Sequence, residues 1–482
     1  MLGVAHVLGL LLTVFGGTYV MPMACSLIYG DGQLEKFAAA AVVSSTVGVL
    51  IAVATRRHAR ELKPRDGFLL VTLAWALTSL SASIPLLLTL PDLSFTDAYF
   101  EAISGLTTTG STVLAGLDKL PPSINLWRHQ LHWLGGMGII VLAVAILPLL
   151  GVGGMQLVKA EMPGPVKDEK LTPRITETAK ALWLAYMVIT VAGIVALKAC
   201  GMSWFDAICH AFSAVALGGF STHDISIEFF DSRAIEIVLI ALMVVASLSF
   251  ARHFVALRRL SLKPYMQDPE AKAVVLFLTV STLGITLLLY ASGTYADAGT
   301  ALRQAAFNVV SIATTTGFVS TNYETWPVFA PIWMLFLSCI VCSTGSTGGG
   351  IKMFRTLLLA RQAGRELKLL VHPNAIWPVR VGGKTVPDRV GDSVLAFIFL
   401  YFMTIVTLTF ALLLTGLDFT SSFSAVVSSV NNMGPGLGAV GPSTNFQTLT
   451  VLQTWVCTIA MLLGRLEIFS VLVLLTPTFW RK

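Results

Sequence analysis

Ten apolar stretches, each long enough at about 20 residues to cross a bilayer as helix, divide this chain near 4–29, 34–55, 67–90, 128–150, 178–200, 232–257, 270–291, 328–359, 391–415 and 448–475. No single soluble core can bury so much apolar length. Of the 482 residues, 55% are hydrophobic and 12% charged, against about 25% charged in an ordinary soluble domain. The sequence predicts a polytopic membrane protein. The first stretch has no Lys or Arg before it and no small-residue cleavage site, so it reads as a retained helix rather than a signal peptide.

Charge fixes the orientation. Lys and Arg (32) exceed Asp and Glu (26), but they form no dense patch that would mark a nucleic-acid partner. They fall between the apolar stretches: Arg56 to Arg65, Lys159 to Lys180, Arg252 to Lys272, Lys352 to Arg389, and the tail residues Arg481 and Lys482. With the N-terminus cytoplasmic, 25 of the 32 lie in inside loops, as the positive-inside rule requires. Both termini are then expected inside.

Four of the outside connections carry a further apolar piece of about 12 residues, too short to span, followed by a Gly-containing turn. Irregular backbone survives at membrane depth only where protein or a water-filled cavity satisfies it. These pieces therefore read as re-entrant loops. Aligned on Gly110, Gly219, Gly317 and Gly434, which are 109, 98 and 117 residues apart, they share a serine six positions earlier: Ser104, Ser213, Ser311 and Ser428. Thirteen positions earlier stands a polar residue able to cap a helix: Asp97, Asp206, Gln304 and Ser421. Repetition of one ladder marks an internal repeat. The chain is expected to be all-α, with an N-terminal helix pair (1–60) and four helix, pore loop, helix units (61–156, 157–262, 263–365 and 366–482) around a pseudo-fourfold pore.

Such loops can bind an ion without a charged ring. A dehydrated monovalent cation needs oxygens in place of its hydration water, and backbone carbonyls from four loops can supply them. Turning successive carbonyls inward needs backbone angles open mainly to glycine. The short helices before the loops would point their partially negative C-termini at the pore. Thr107, Thr108, Thr109, Thr314, Thr315 and Thr316 are expected to add hydroxyls at that level, with Asn431 and Asn432 in the fourth loop.

The segments Thr107-Thr108-Thr109-Gly110-Ser111, Ala216-Leu217-Gly218-Gly219-Phe220-Ser221, Thr314-Thr315-Thr316-Gly317-Phe318 and Asn431-Asn432-Met433-Gly434-Pro435-Gly436 resemble the Trk/Ktr/HKT superfamily of potassium transporters, in its bacterial Trk branch. The resemblance spans nearly the whole chain. It implies a selectivity filter of Thr108, Thr109, Gly110, Leu217, Gly218, Gly219, Thr315, Thr316, Gly317, Asn432, Met433 and Gly434. Potassium would be held there by the backbone carbonyls of Thr109, Gly110, Gly218, Gly219, Thr316, Gly317, Met433 and Gly434. Glycine in all four loops is similar to the potassium-selective members. The resemblance further implies a homodimer in the bacterial inner membrane, no covalent cofactor, and a cytoplasmic regulatory subunit that binds nucleotide in place of this chain.

Two features point to a gate. The eighth stretch is interrupted by Ser343 to Gly350, with Gly345, Gly348, Gly349 and Gly350 followed by Lys352; glycines there cost about 1 kcal/mol each against alanine in a helix. A phosphate-binding loop is excluded by spacing and by the lack of a preceding strand. A packing kink is the plain alternative to a movable plug, which is what the family likeness implies. Arg465 falls within the last stretch, where a charge is costly unless paired or wetted. It matches a family arginine near the plug and is expected to act as an electrostatic barrier, with pairing to carbonyls or to Glu467 as the structural alternative.

The remaining chemistry is plain. Cys25, Cys200, Cys209, Cys339, Cys342 and Cys457 show no disulfide framework and read as buried thiols; Cys339-x-x-Cys342 matches a redox or metal half-site but has no second pair. His129, His132 and His210 form no ligand set. Trp127, Trp133, Trp204, Trp326 and Trp455 fall near outer span ends, where interfacial aromatics are expected. The linkers 157–177 and 355–390 are basic, whether for topology alone or for regulatory docking. No catalytic constellation occurs, so an enzyme is not expected. The competing transport class is an ion-coupled carrier, which would show paired breaks within spans, whereas here the irregular pieces recur between spans.

Overall fold

Helices run through the described parts of the expected stretches in the computed structural model, which describes residues 1–58, 62–146 and 175–481. They are α1 (Leu2–Gly16), α2 (Val20–Tyr29), α3 (Leu34–Thr55), α4 (Pro64–Thr89), α5 (Phe95–Leu106), α6 (Pro122–Ile146), α7 (Ile175–Ala199), α8 (Trp204–Ala216) and α9 (Arg233–Ala246). The series continues with α10 (Phe250–Arg259), α11 (Pro269–Ala291), α12 (Ala298–Ala313), α13 (Phe329–Ile340), α14 (Met353–Val371), α15 (Asp388–Leu413), α16 (Phe419–Asn431) and α17 (Val451–Arg465). The all-α expectation needs one amendment, a two-residue hairpin pairing Arg380–Val381 with Lys384–Thr385. The linker calls on 157–174, including Lys159, Lys167, Lys170 and Arg174, lie outside the described residues.

Six helices, or up to eight if each bent pair counts as one span, are long and apolar enough to cross a membrane. The ten expected spans do not all appear as rods, because the helix that follows each loop glycine is kinked or broken. Gly138 kinks α6 at φ 77°, α9 and α10 meet at 102°, α13 stops at Ile340 and α14 starts at Met353, and α17 meets Phe469–Leu475 at 106°. Only the third break was visible in the sequence. The second turns at Ser247 to Ser249, and the fourth at Glu467 and Ile468, both with positive φ; none of these is Gly or Pro, the usual signatures of a kink.

The four short helices α5, α8, α12 and α16 start earlier than the sequence suggested. Their caps are Ser94, Ser203, Asp297 and Asp418, each accepting a backbone N–H three residues on. The predicted caps sit inside: Asp97, Asp206 and Ser421 are the N3 residues that donate to those caps, and Gln304 lies mid-helix because α12 is one turn longer than aligned. Asp297 and Asp418 are held below the ordinary carboxylate range, the first by the Thr300 backbone N–H and the second by hydrogen bonds from Ser421.

The N-terminal helices pack on the first unit. Between α1 and α3 the contact is backbone to backbone, since a Cβ on Gly9 would lie 2.7 Å from the Gly48 carbonyl oxygen; small residues permit such approach in membranes. Trp127 stacks on Tyr19 with ring centroids 4.6 Å apart and donates to the Ala82 carbonyl. Trp127 and Trp326 are thus buried core residues, not interfacial anchors. The outer face is apolar: Leu276, Leu283 and Leu287 of α11 and Phe399 and Phe410 of α15 are exposed, the face lipid would cover.

Candidate pore and gate

Each short helix ends in the same backbone device. The residue before the loop glycine donates its N–H to the carbonyl of the repeated serine: Thr109 to Ser104, Gly218 to Ser213, Thr316 to Ser311 and Met433 to Ser428, at 2.8–2.9 Å. The residue before that turns left-handed, at φ 54° in Thr108, 55° in Leu217, 59° in Thr315 and 53° in Asn432. Each glycine follows at φ 80°, 78°, 86° and 105° in chain order. Non-glycine residues rarely accept that region, β-branched ones least of all, and such conformations cluster at functional sites. No local pattern marks them, because Thr, Leu and Asn share no propensity that would single out the position.

The loops close into a ring. A Cβ on Gly110 would lie 1.9 Å from the Gly218 carbonyl oxygen, one on Gly219 2.1 Å from that of Thr316, one on Gly317 2.0 Å from that of Met433, and one on Gly434 2.9 Å from that of Thr109. Every loop glycine thus backs onto the carbonyl preceding the glycine of the next loop, and the fourth returns to the first. All twelve sequence-nominated filter residues lie in this ring.

The hydroxyls are used elsewhere than expected. Thr107 and Thr109 share a hydrogen bond at 2.7 Å, as do Thr314 and Thr316 at 2.8 Å. Asn432 donates to Thr109 Oγ1 and to the Met461 carbonyl, while Asn431 joins Tyr401 and Ser338. These side chains build the wall. Only Thr108 and Thr315 turn their hydroxyls toward the layer beneath, where they meet Arg465 and the Gly349 N–H. The Gly434 carbonyl accepts from Ser111 Oγ at 2.9 Å and from Ser428 Oγ at 2.6 Å.

Beneath it lies the break between α13 and α14, broader than expected at Val341–Lys352. Gly345, Gly350 and Lys352 all have positive φ. The segment is pinned on several sides: Ser343 N–H to the Ser247 carbonyl, Phe250 N–H to the Gly345 carbonyl, Thr344 N–H to Glu270 Oε2 at 2.7 Å, and Thr347 Oγ1 to the Val215 carbonyl. A Cβ on Gly349 would lie 1.9 Å from the Asn431 carbonyl oxygen, and one on Gly348 2.3 Å from Cys342 Sγ. Cys342 also donates to the Thr314 carbonyl. All six cysteines are free, and Cys200 and Cys339 are half-buried rather than buried.

Arg465 belongs to this layer. It occupies the last turn of α17, at the break rather than in the middle of a continuous span. Its guanidinium donates to the Thr347 carbonyl of the Val341–Lys352 segment at 2.9 Å, to Thr108 Oγ1 at 3.3 Å, and to the Gly135 and Gly136 carbonyls of α6. Glu467 pairs with Arg355 instead. Lys352 Nζ donates to the Gly348 carbonyl within the plug.

Sequence reasoning missed the glycines on which the inner helices approach the short ones. A Cβ on Gly135 would lie 1.8 Å from the Leu106 carbonyl oxygen and one on Gly464 1.9 Å from that of Val430. Among the described residues no group of three or more His, Cys, Asp or Glu could hold a metal ion.

A family model described as a cation transport protein, TrkH, matches residues 33–482. The chain belongs to the TrkH cation transport family. It is 47% identical to the Trk system potassium uptake protein TrkH of Vibrio parahaemolyticus, with 99% of each chain covered. It is 48% identical to the TrkH of Halomonas elongata, again over 99% of both, and 38% identical to the TrkG of Escherichia coli, over 99% of this chain and 98% of that one. The crystal structure of the potassium transporter TrkH from Vibrio parahaemolyticus superposes with a TM-score of 0.90 at 45% identity, covering 100% of this chain and 99% of that one. The protein is therefore an all-helical, multi-pass member of a transporter family.

Proposed function

We propose that this protein takes up potassium across the bacterial inner membrane through the ring of Gly110, Gly219, Gly317 and Gly434, gated by Gly345–Gly350, Lys352 and Arg465. The closed cyclic order of the four loops carries the reading, because it sets the carbonyls of Thr109, Gly218, Thr316 and Met433 around one ring, with most of the nearby hydroxyls and amides bonded within the wall. A shell of carbonyls suits a dehydrated monovalent cation. The helix C-termini behind it add negative potential without a carboxylate. Its relatives carry the name of Trk system potassium uptake proteins, which supports potassium as the ion.

Within this reading the chain is a helix pair followed by four pore units. Arg465 bonds the plug at Thr347 and the ring at Thr108, so it blocks the path both by charge and by tying the plug up against the filter. Opening requires those bonds to be exchanged. A cytoplasmic nucleotide-binding partner acting through the basic α14 region, and assembly as a homodimer, belong to the same proposal, as do cytoplasmic termini.

Broken inner helices in all four units are also what an ion-coupled carrier would show. The ring favours the channel-like reading, since a carrier site at the breaks would need no closed set of outer loops. The test is growth at limiting potassium, with rubidium uptake, in cells stripped of their own potassium systems. Restored growth and saturable rubidium entry support the proposal; transport of an organic solute without potassium entry overturns it.

A further inference from the structure

Between the first and second loops lies an ion pair that neither the motif nor the gate accounts for. Glu101, on α5, and Arg128, on α6, are 0% and 1% exposed at their side chains, and Nε meets Oε1 at 2.7 Å. Both carboxylate oxygens are engaged with the limb that leaves Gly110: the Thr112 hydroxyl lies 3.0 Å from each, and the Val113 N–H donates to Oε2 at 3.1 Å. The guanidinium reaches both limbs. Nη2 donates to Thr112 Oγ1 at 3.2 Å, Nη1 to the Ser221 carbonyl at 3.4 Å and to Asn125 Oδ1 at 3.2 Å.

Arg128 also holds Phe220, the residue directly after Gly219. Its guanidinium carbon stands 4.2 Å from the ring centroid, and His132, one turn along α6, stacks on the same ring at 4.0 Å. A planar, delocalised cation suits this stacked and forked position, where an ammonium would not.

The other loops carry no arginine–carboxylate pair at the corresponding places, although Asp206 on the second short helix accepts from Thr222 Oγ1 at 2.8 Å. His210 meets Ser221 at 2.9 Å, Asn308 meets Ser320 at 2.9 Å, and Ser424 accepts from the Leu437 N–H at 2.8 Å; each joins a short helix to its own outgoing limb. Arg303 pairs with Glu236 across the next junction, but it is 20% exposed, and it meets the limb leaving Gly219 only at its far end, through the exposed Asp231. Among the described residues, a charge pair with both side chains almost fully buried stands beside the ring only at the junction of loops one and two. Burial of such a pair is weak support for stability, and its use for fixing one arrangement is the better explanation.

We propose that Arg128, held by Glu101, is a positioning and specificity-determining residue: it fixes the limbs leaving Gly110 and Gly219 relative to one another and thereby sets how strictly the ring discriminates potassium from sodium. This rests on the potassium reading above. The pair is also net neutral, so removing either partner leaves an uncompensated charge near the ion path. The two neutralisations therefore differ in sign, whereas loss of the fork is common to both.

The test measures potassium and sodium influx, with KM and maximal rate, in proteoliposomes of the full chain and of Glu101→Gln, Arg128→Gln, Arg128→Lys and Glu101→Gln/Arg128→Gln. Native vesicles that carry no potassium would refute the uptake reading itself and are judged first. The proposal expects Glu101→Gln, with Arg128 left unpaired, to raise the potassium KM about tenfold or more, and the double variant to recover most of that. It expects the potassium-to-sodium ratio to fall about fivefold or more in Arg128→Gln and to stay low in the double variant, because charge is restored but the fork is not. Arg128→Lys preserves charge and guards against misfolding; it too should lose discrimination while its melting temperature stays near native. A native ratio in Arg128→Lys, or in a folded Arg128→Gln, overturns the proposal.

Discussion

The ring and the layer beneath it are built on opposite plans. Four loops repeat one backbone path, with the same helix-terminal hydrogen bond, a left-handed residue and a glycine, and each abuts the next. The plug occurs once, and side chains that have no fourfold counterparts hold it: Arg465, Thr347, Glu270 and Lys352. A device made of repeated backbone has no residue whose removal retunes it gently, because any added atom strikes a neighbouring carbonyl. A device held by single side chains can be released one bond at a time. On the proposed function, selection and gating fall to parts that tolerate different kinds of change.

Substitutions in the ring should be the most damaging. Gly219→Ala places a Cβ 2.1 Å from the Thr316 oxygen at φ 78°, and potassium flux should fall about a hundredfold or more, given strain of a few kcal/mol. Gly434→Ala, where the same atom meets its neighbour at 2.9 Å, should lose less. Equal losses in rubidium uptake at the two positions would mean that the ring is not looser at its fourth member.

A smaller effect, opposite in sign, is expected below. Arg465→Ala removes the bonds to Thr347 and Thr108 together with the charge, and should raise flux by about tenfold while leaving the potassium-to-sodium ratio intact, since a blocking charge within a membrane is worth several kcal/mol. An unchanged or lower flux in a folded variant would count against the barrier. Gly349→Ala should push the plug away from the Asn431 carbonyl and raise flux about threefold, a partial version of the same release. Single-channel or vesicle flux distinguishes more open time from altered selectivity.

The outermost capping residues should matter least. Asp418→Ala removes a helix cap worth about 1 kcal/mol, with little change in selectivity. Hydrogen bonding to Ser421 lowers the Asp418 pKa, so its contribution is full above the ordinary carboxylate range and fades as pH falls through the lowered folded value. Thermal melts of native and variant protein should therefore converge in acid.

How much of this was legible in the sequence follows the same division. The four glycines, their serine ladder and the plug glycines could be read because they depart from what a helix permits and recur or cluster. The true caps were hidden by an alignment that assumed helices of equal length, although α12 is a turn longer. Breaks at Ser247 to Ser249 and at Glu467 and Ile468 use residues with no helix-breaking signature. The threonines suggested pore-facing hydroxyls, but Thr107 and Thr109 bond each other. Glu101 and Arg128 are separated by 27 residues, and no local pattern links them.

Influx of potassium, rubidium and sodium into proteoliposomes of the purified chain, under an imposed potential, tests the closed ring most directly. The account predicts potassium and rubidium entry well above sodium, with that preference lost in Gly110→Ser, whose Cβ would meet the Gly218 oxygen. Equal potassium and sodium entry through the native protein would contradict it.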